Sequence, residues 1–177
     1  YLCPDGQARS VQCKALTALF VAAAGKDLRS SVLPFMLSLV RHYTLVAIVQ
    51  ESGPFSVGKL QYEIKGMDPL VLIDALATVM GHEEKELCKP GHTAMVFILD
   101  TAISVLGSKA KACELPIMEY LAEKMYSLCY EQPWYTKLGG CIGVRFLFER
   151  MSIQWILDRQ VDFLRAMLYI MMDLTGE

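Results

Sequence analysis

The sequence predicts an all-α fold, an α-solenoid of about seven helices in antiparallel pairs, and three observations carry that reading. Prolines stand at or near several segment starts, at Pro34, Pro69, Pro116 and Pro133, where a missing N–H costs little. Apolar residues recur at steps of three and four through most of the chain, and no segment alternates convincingly as a strand. Successive pairs begin near residues 5, 68, 116 and 152, irregular but centred near the roughly 40–47-residue period of HEAT-type repeats. A closed helical bundle is the competing architecture. The high aliphatic and methionine content favours stacked layers, because each pair is then covered on both sides.

The stretch from Asp68 to Gly107 is the clearest pair. Asp68-Pro69 is a start signal: the Asp side chain can accept from the first-turn amides, and Pro at the first helical position loses no bond. Two apolar segments follow, Leu70 to Met80 and Thr93 to Leu106, with Gly81 and Gly107 at their expected stops. Asp74 and Thr78 alone interrupt the first segment. Thr93, Asp100 and Ser104 form a polar stripe on the second, with Thr101 beside it. Both helices should therefore be buried on most sides.

The flanking pairs are read in the same way. Residues 5–24 form a first helix, with Gln7, Ser10, Lys14 and Thr17 outward and Ala8, Val11, Ala15, Leu19 and Ala22 opposite; Gly25 ends it. Asp27 is a plausible cap for the next helix, to about Gln50, with Pro34 in its first turns or at a break. Residues 51–67 hold three glycines and a proline without helical period and read as a loop. After a polar turn from Ser108 to Cys113, Pro116 opens a helix to Glu131, with Glu119, Glu123, Ser127 and Glu131 outward and Ile117, Leu121, Met125 and Leu128 inward. Pro133 starts another to Arg150, in which Gly139, Gly140 and Gly143 imply close helix–helix approach. Ser152 caps a last long helix, with Ile153, Leu157, Leu164, Met167, Leu168 and Met171 expected inward and Gln154, Asp158, Asp162, Arg165, Tyr169 and Asp173 outward. The repeat units are thus hairpins over roughly 5–50, 68–107, 116–150 and 152–174.

Composition narrows the function. With 17 Lys+Arg against 19 Asp+Glu, the net charge of -2 supplies no global basic field, so direct nucleic-acid binding is not expected. A hydrophobic share of 54% and a mean hydropathy of +0.33 are high, and some of this surface should pack on neighbouring repeats or a partner. No membrane span is read: Ser31 to Gln50 is broken by Arg41-His42, Thr93 to Leu106 is short, and no signal peptide precedes them. The six cysteines, Cys3, Cys13, Cys88, Cys113, Cys129 and Cys141, are scattered singly and read as core residues of a reducing compartment. The chain begins at Tyr1 without a Met and ends just after an apolar helix, and reads as an excised segment. On its own it should be helical and prone to associate.

No enzyme constellation emerges. His82, Cys88 and His92 match no familiar zinc spacing. Gly139-Gly140-Cys141-Ile142-Gly143 is not a phosphate loop and follows no strand. Glu83-Glu84-Lys85-Glu86 reads as a solvated turn, Cys129 has no histidine partner near in sequence, and Met151, Met167, Met171 and Met172 read as core. Trp134-Tyr135 and Trp155 read as packing near helix starts. The sequence assigns no catalytic, cofactor-binding or metal-ligating residue, no cofactor, and no particular partner-binding residue.

The strings VMGHEEKELCKPGHTAMVFILDTAISVLGS, ACELPIMEYLAEKM, LCYEQPWYTKLGGCIGVRFL and MMDLTGE, from Val79 onward, closely resemble the Tra family. The likeness is specific from about Val71 to Glu177. It implies part of the N-terminal HEAT-type array of a giant nuclear scaffold related to the phosphatidylinositol 3-kinase-like kinases, whose kinase-like part is a pseudokinase. None of its kinase-like motifs lies here. The resemblance further implies a non-catalytic co-activator segment, located in the nucleus, that links transcriptional activators to histone acetyltransferase complexes of the SAGA and NuA4 kinds. Its partners would be activators and acetyltransferase-complex subunits. The alternative is a HEAT-type transport receptor or another helical-repeat adaptor.

Overall fold

A computed structural model of the chain describes residues 5–52 and 68–174. Nine helices occupy these residues: α1 (Asp5–Ala24), α2 (Arg29–Ser52), α3 (Leu70–Met80), α4 (Cys88–Leu106), α5 (Lys109–Cys113), α6 (Pro116–Cys129), α7 (Trp134–Arg150), α8 (Ile153–Asp158) and α9 (Gln160–Leu174). They form an α-solenoid of two layers. Helices α1, α3, α6 and α9 pack side by side in one layer, α2, α4 and α7 in the other, and the hairpins α1/α2, α3/α4 and α6/α7 join the two. The loop expected over 51–67 lies outside the described residues, except that its first two residues close α2.

α3 is the centre of the stack, with α1 and α6 on its flanks and α4 and α7 behind it. Its side chains Val71, Leu72, Ile73, Ala75, Leu76, Ala77, Val79 and Met80 are all buried. Burying a Leu or Ile contributes about 1.5–3 kcal/mol, so this short helix organises much of the core. Its start works as the sequence implies: the Asp68 carboxylate accepts from Leu70 N at 2.9 Å, and the first-turn amide thereby loses no bond.

The glycines of α7 set how closely the pairs approach. A Cβ on Gly139 would sit 1.9 Å from the Met80 carbonyl oxygen, and one on Gly143 would lie 2.2 Å from Met125 Sδ. α7 therefore lies directly against the end of α3 and the flank of α6. Thr136 Oγ1 donates to Gly81 O at 2.9 Å, and Cys88 Sγ donates to Met80 O at 3.3 Å. These bonds satisfy carbonyls that the end of α3 would otherwise leave unpaired. Gly107 closes α4 in the left-handed region at φ 67°, the conformation that glycine adopts without strain.

Several local expectations are revised. α4 begins at Cys88, not Thr93, so Pro90 occupies its first turn, where proline is tolerated. The turn from Ser108 contains the short helix α5, capped by the Ser108 hydroxyl accepting from Lys111 N at 3.5 Å. The last helix is two: the chain breaks at Arg159, whose guanidinium lies 4.3 Å over the Trp155 ring while its Nε donates to Glu119 at 2.8 Å.

Two apolar faces are also reassigned. On α1 the core side is Leu16, Phe20 and Ala23, with Cys13 beside them, while Val11 and Ala15 face solvent. On α8 and α9 the core stripe is Trp155, Phe163 and Ala166, with Met167 and Ile170 packed against it. Ile153, Leu157, Leu164, Leu168 and Met171, expected inward, are 51–77% exposed. α9 carries two apolar stripes, and the one containing the aromatic ring faces α6 and α7. Phe163 explains the choice, since it meets Tyr126, Phe148 and Trp155 edge-on at 5.0–6.3 Å.

The Arg29–Gln50 stretch of α2, with mean hydropathy 1.7 over its most apolar 18 residues, is long and apolar enough to cross a membrane by length and composition, contrary to the sequence reading. In the stack its apolar side packs on α1 and α4, burying Met36, Val40, Tyr43 and Ala47.

Gly139→Ala should lower the unfolding free energy by about 2–3 kcal/mol in urea titration, because the rigid Met80 backbone cannot move aside. Gly25→Ala, whose added Cβ meets only Ala22 O at 3.4 Å, should change it by less than about 0.5 kcal/mol.

Candidate functional site

The polar centre of the described residues lies on the outer side of the α1/α3/α6 layer. Asp74 interrupts the apolar run of α3 and accepts from three side chains on the two flanking helices. Arg9 Nη2 of α1 approaches Asp74 Oδ2 at 2.6 Å, Tyr120 OH of α6 donates to Oδ1 at 2.7 Å, and Lys124 Nζ lies 2.9 Å from the same oxygen. Arg9 also pairs with Asp68 at the start of α3. One carboxylate thus joins three consecutive layer helices.

Helical spacing explains the convergence. Tyr120 and Lys124 are four apart on α6 and share a face, and Lys124 Nζ also sits 5.1 Å from the Tyr120 ring centre. Asp68 just before α3 and Asp74 in its second turn lie within the reach of one guanidinium fork. The Asp74 side chain is only 19% exposed, so its charge must be compensated. Burial alone would raise its pKa. The hydrogen bonds from Tyr120, Arg9 and Lys124 outweigh burial and hold it below the usual carboxylate range. The same bonds favour the charged cations: Arg9 and Lys124 are raised chiefly by the hydrogen bond to Asp74. Burial, then the bond to Asp74, raises Tyr120.

Between α3 and α6 this cluster borders an open groove of about 530 Å³, with Ala77 and Leu128 on its apolar side and Thr78 and Ser127 on its rim. Its cations are already engaged by Asp74. The arrangement binds helices to one another.

The residues weighed in the sequence are placed separately. His82 Nδ1 accepts from Glu84 N at 3.0 Å, Cys88 turns to Met80 O, and His92 packs edge-on against Phe146 at 5.9 Å. Burial pushes the Cys129 thiol up to about 12, so it is protonated at neutral pH, and its Sγ donates to Met125 O at 3.4 Å. Glu83, Glu84, Lys85 and Glu86 are exposed. Trp134 is exposed, with Lys85 Nζ 5.5 Å from its ring centre, whereas Trp155 is buried. Cys3 lies outside the described residues. Sequence reasoning noted Asp74 only as an interruption; a lone carboxylate inside an otherwise buried helix is the signal that could have found the cluster, since such a group is almost never buried without a partner.

A family model described as the Tra1 HEAT repeat ring region matches residues 3–177. The chain belongs to the Tra1 HEAT ring family. It is 50% identical, over its whole length, to the transformation/transcription domain-associated protein of Danio rerio. It is 53% identical over 96% of its length to transcription-associated protein 1 of Drosophila melanogaster. It is 22% identical over 92% of its length to the SAGA complex/NuA4 acetyltransferase complex subunit TRA1 of Saccharomyces cerevisiae. The chain spans only 4–5% of the length of these relatives.

Because the folded pKa of Asp74 is depressed, its contribution to stability is complete above the ordinary carboxylate pKa of 3.8 and disappears as pH falls through the lowered value. Melting temperatures of the parent chain and Asp74→Asn should therefore differ at pH 7 and converge as pH falls through that lowered value. A difference that persists unchanged to low pH would rule out the carboxylate charge as its source.

Proposed function

We propose that this chain is a non-catalytic scaffold segment of a nuclear transcription co-activator that links transcriptional activators to histone acetyltransferase complexes of the SAGA and NuA4 kinds. The observation that carries the reading is the full-length family match joined to a two-layer stack whose last pair leaves an apolar side uncovered. The relatives' names, which include a SAGA and NuA4 subunit, support the assembly context. The partly buried polar cluster serves helix packing, which fits a wall that presents surface to partners.

In this reading the hairpins over roughly 5–50, 68–107, 116–150 and 152–174 are the repeat units of the array. The side formed by Ile153, Leu157, Val161, Leu164, Leu168 and Met171 is covered by a neighbouring repeat of the same polypeptide. Val11, Phe35 and Val49 are exposed at the α1/α2 end and face a neighbour there. Clustered exposed leucine, isoleucine and methionine of this kind mark an interface. Partner proteins contact the remaining ridges, and neither nucleic acid nor membrane is engaged directly.

The isolated chain should associate in a concentration-dependent way by light scattering, and Leu164→Glu with Leu168→Glu should shift it toward monomer with helicity retained. An isolated chain that is monomeric throughout would argue against covered ends. Affinity capture of the full-length polypeptide from nuclear extract, read by mass spectrometry, should recover acetyltransferase-complex subunits. Recovery of transport cargo without any such subunit would overturn the co-activator reading.

A further inference from the structure

We propose that the Asp74 cluster is an ionic clasp that sets the angle between consecutive hairpins, so that the curvature of this segment responds to charge and ionic strength without unfolding. The two sides of the stack are held by different physics. Behind α3 the join to α7 is backbone-tight: Gly139 rests on Met80 O, and Thr136 Oγ1 donates to Gly81 O. Such a join has no room to slide.

On the outer side α3 and α6 part to leave the groove of about 530 Å³. Ala77 and Leu128 line this groove, and the hydrogen bonds and ion pairs across the edge come from Arg9 of α1, which reaches both Asp74 and Asp68, and from Tyr120 and Lys124 of α6, which end on Asp74. Arg9 and Lys124 are partly exposed, at 42% and 35%. Their attraction is therefore open to screening by salt, whereas the apolar join is not. A rigid seam on one side and a screened, charged bridge on the other make a hinge. Loosening the bridge swings α6 away from α3 about the seam, while α1 stays packed on α3, and widens the groove.

The test measures distances between non-cysteine spin labels at the exposed positions Val11 of α1 and Glu123 of α6, with Ser104 of α4 and Arg145 of α7 as the reference pair. Asp74→Asn keeps the side-chain shape and removes the charge. The Val11–Glu123 distance should lengthen and broaden in Asp74→Asn, and in the parent chain at about 1 M salt, while the reference distance and the far-UV helical signal stay unchanged. Asp100→Asn, which removes the exposed pair with Arg150, should leave both distances alone. Lys124→Met provides a second route to the same opening if Asp74→Asn fails to fold. Unchanged distances in a folded Asp74→Asn chain would overturn the proposal. So would loss of helicity in both Asp74→Asn and Lys124→Met, since the cluster would then hold the fold and not its angle.

Discussion

The close seat at Met80 and Gly81 is the constraint on which the rest of the stack depends. There α3 ends, α4 turns back through Cys88, and α7 crosses with Gly139 against the Met80 carbonyl. No side chain fits in that crossing, so a glycine is required. Once it is made, the position of α7 fixes that of α6, which shares a hairpin with it and presses Met125 onto Gly143. α9 then docks on α6 and α7 through Phe163. A hairpin of modest length thereby becomes the reference for both layers.

The core is aliphatic and rich in methionine, with few polar side chains inside it. Thr44 and Thr101 are buried within helices, and Thr44 returns its hydroxyl to Val40 O at 2.8 Å. Lys137 is buried among α7 and α9 and is neutralised by Asp173, with Tyr169 5.7 Å from its ammonium. Charge is tolerated only where a partner on the next helix meets it, as at Asp74 and at Arg159 with Glu119. Lys137–Asp173 joins α7 to α9, Asp74 joins α3 to α1 and α6, and Arg159–Glu119 joins the α8/α9 break to α6. Apolar contact supplies the cohesion, and the polar pairs fix which helix lies beside which.

The scaffold reading follows from that division. Among the described residues this array carries an open groove beside Asp74. What it offers is surface, with apolar patches at its two ends and mixed charge along the ridges. The Tra1 HEAT ring family is thus represented here by a stretch of wall, a small fraction of the length of its relatives.

The sequence by itself determined α1 to α4, α6 and α7 and several of their limits, but not the start of α4, the short α5 or the break between α8 and α9. Asp68-Pro69, Gly81, Gly107, Pro116 and Pro133 act within one turn of chain, so local chemistry suffices to place them. It also determined the inward face of α6, where one apolar stripe stands opposite an acidic one, and it signalled close approach at Gly139, Gly140 and Gly143. Only the tertiary structure decided which of two apolar stripes on α9 meets the core, because periodicity identifies stripes but not the neighbour that covers them. It alone rotated α1 to bury Leu16 and Phe20 in place of Val11 and Ala15. Asp74 shows the same limit most clearly: its partners Arg9 and Tyr120 are 65 and 46 residues away. Their meeting depends on the packing of three helices, which no local pattern encodes.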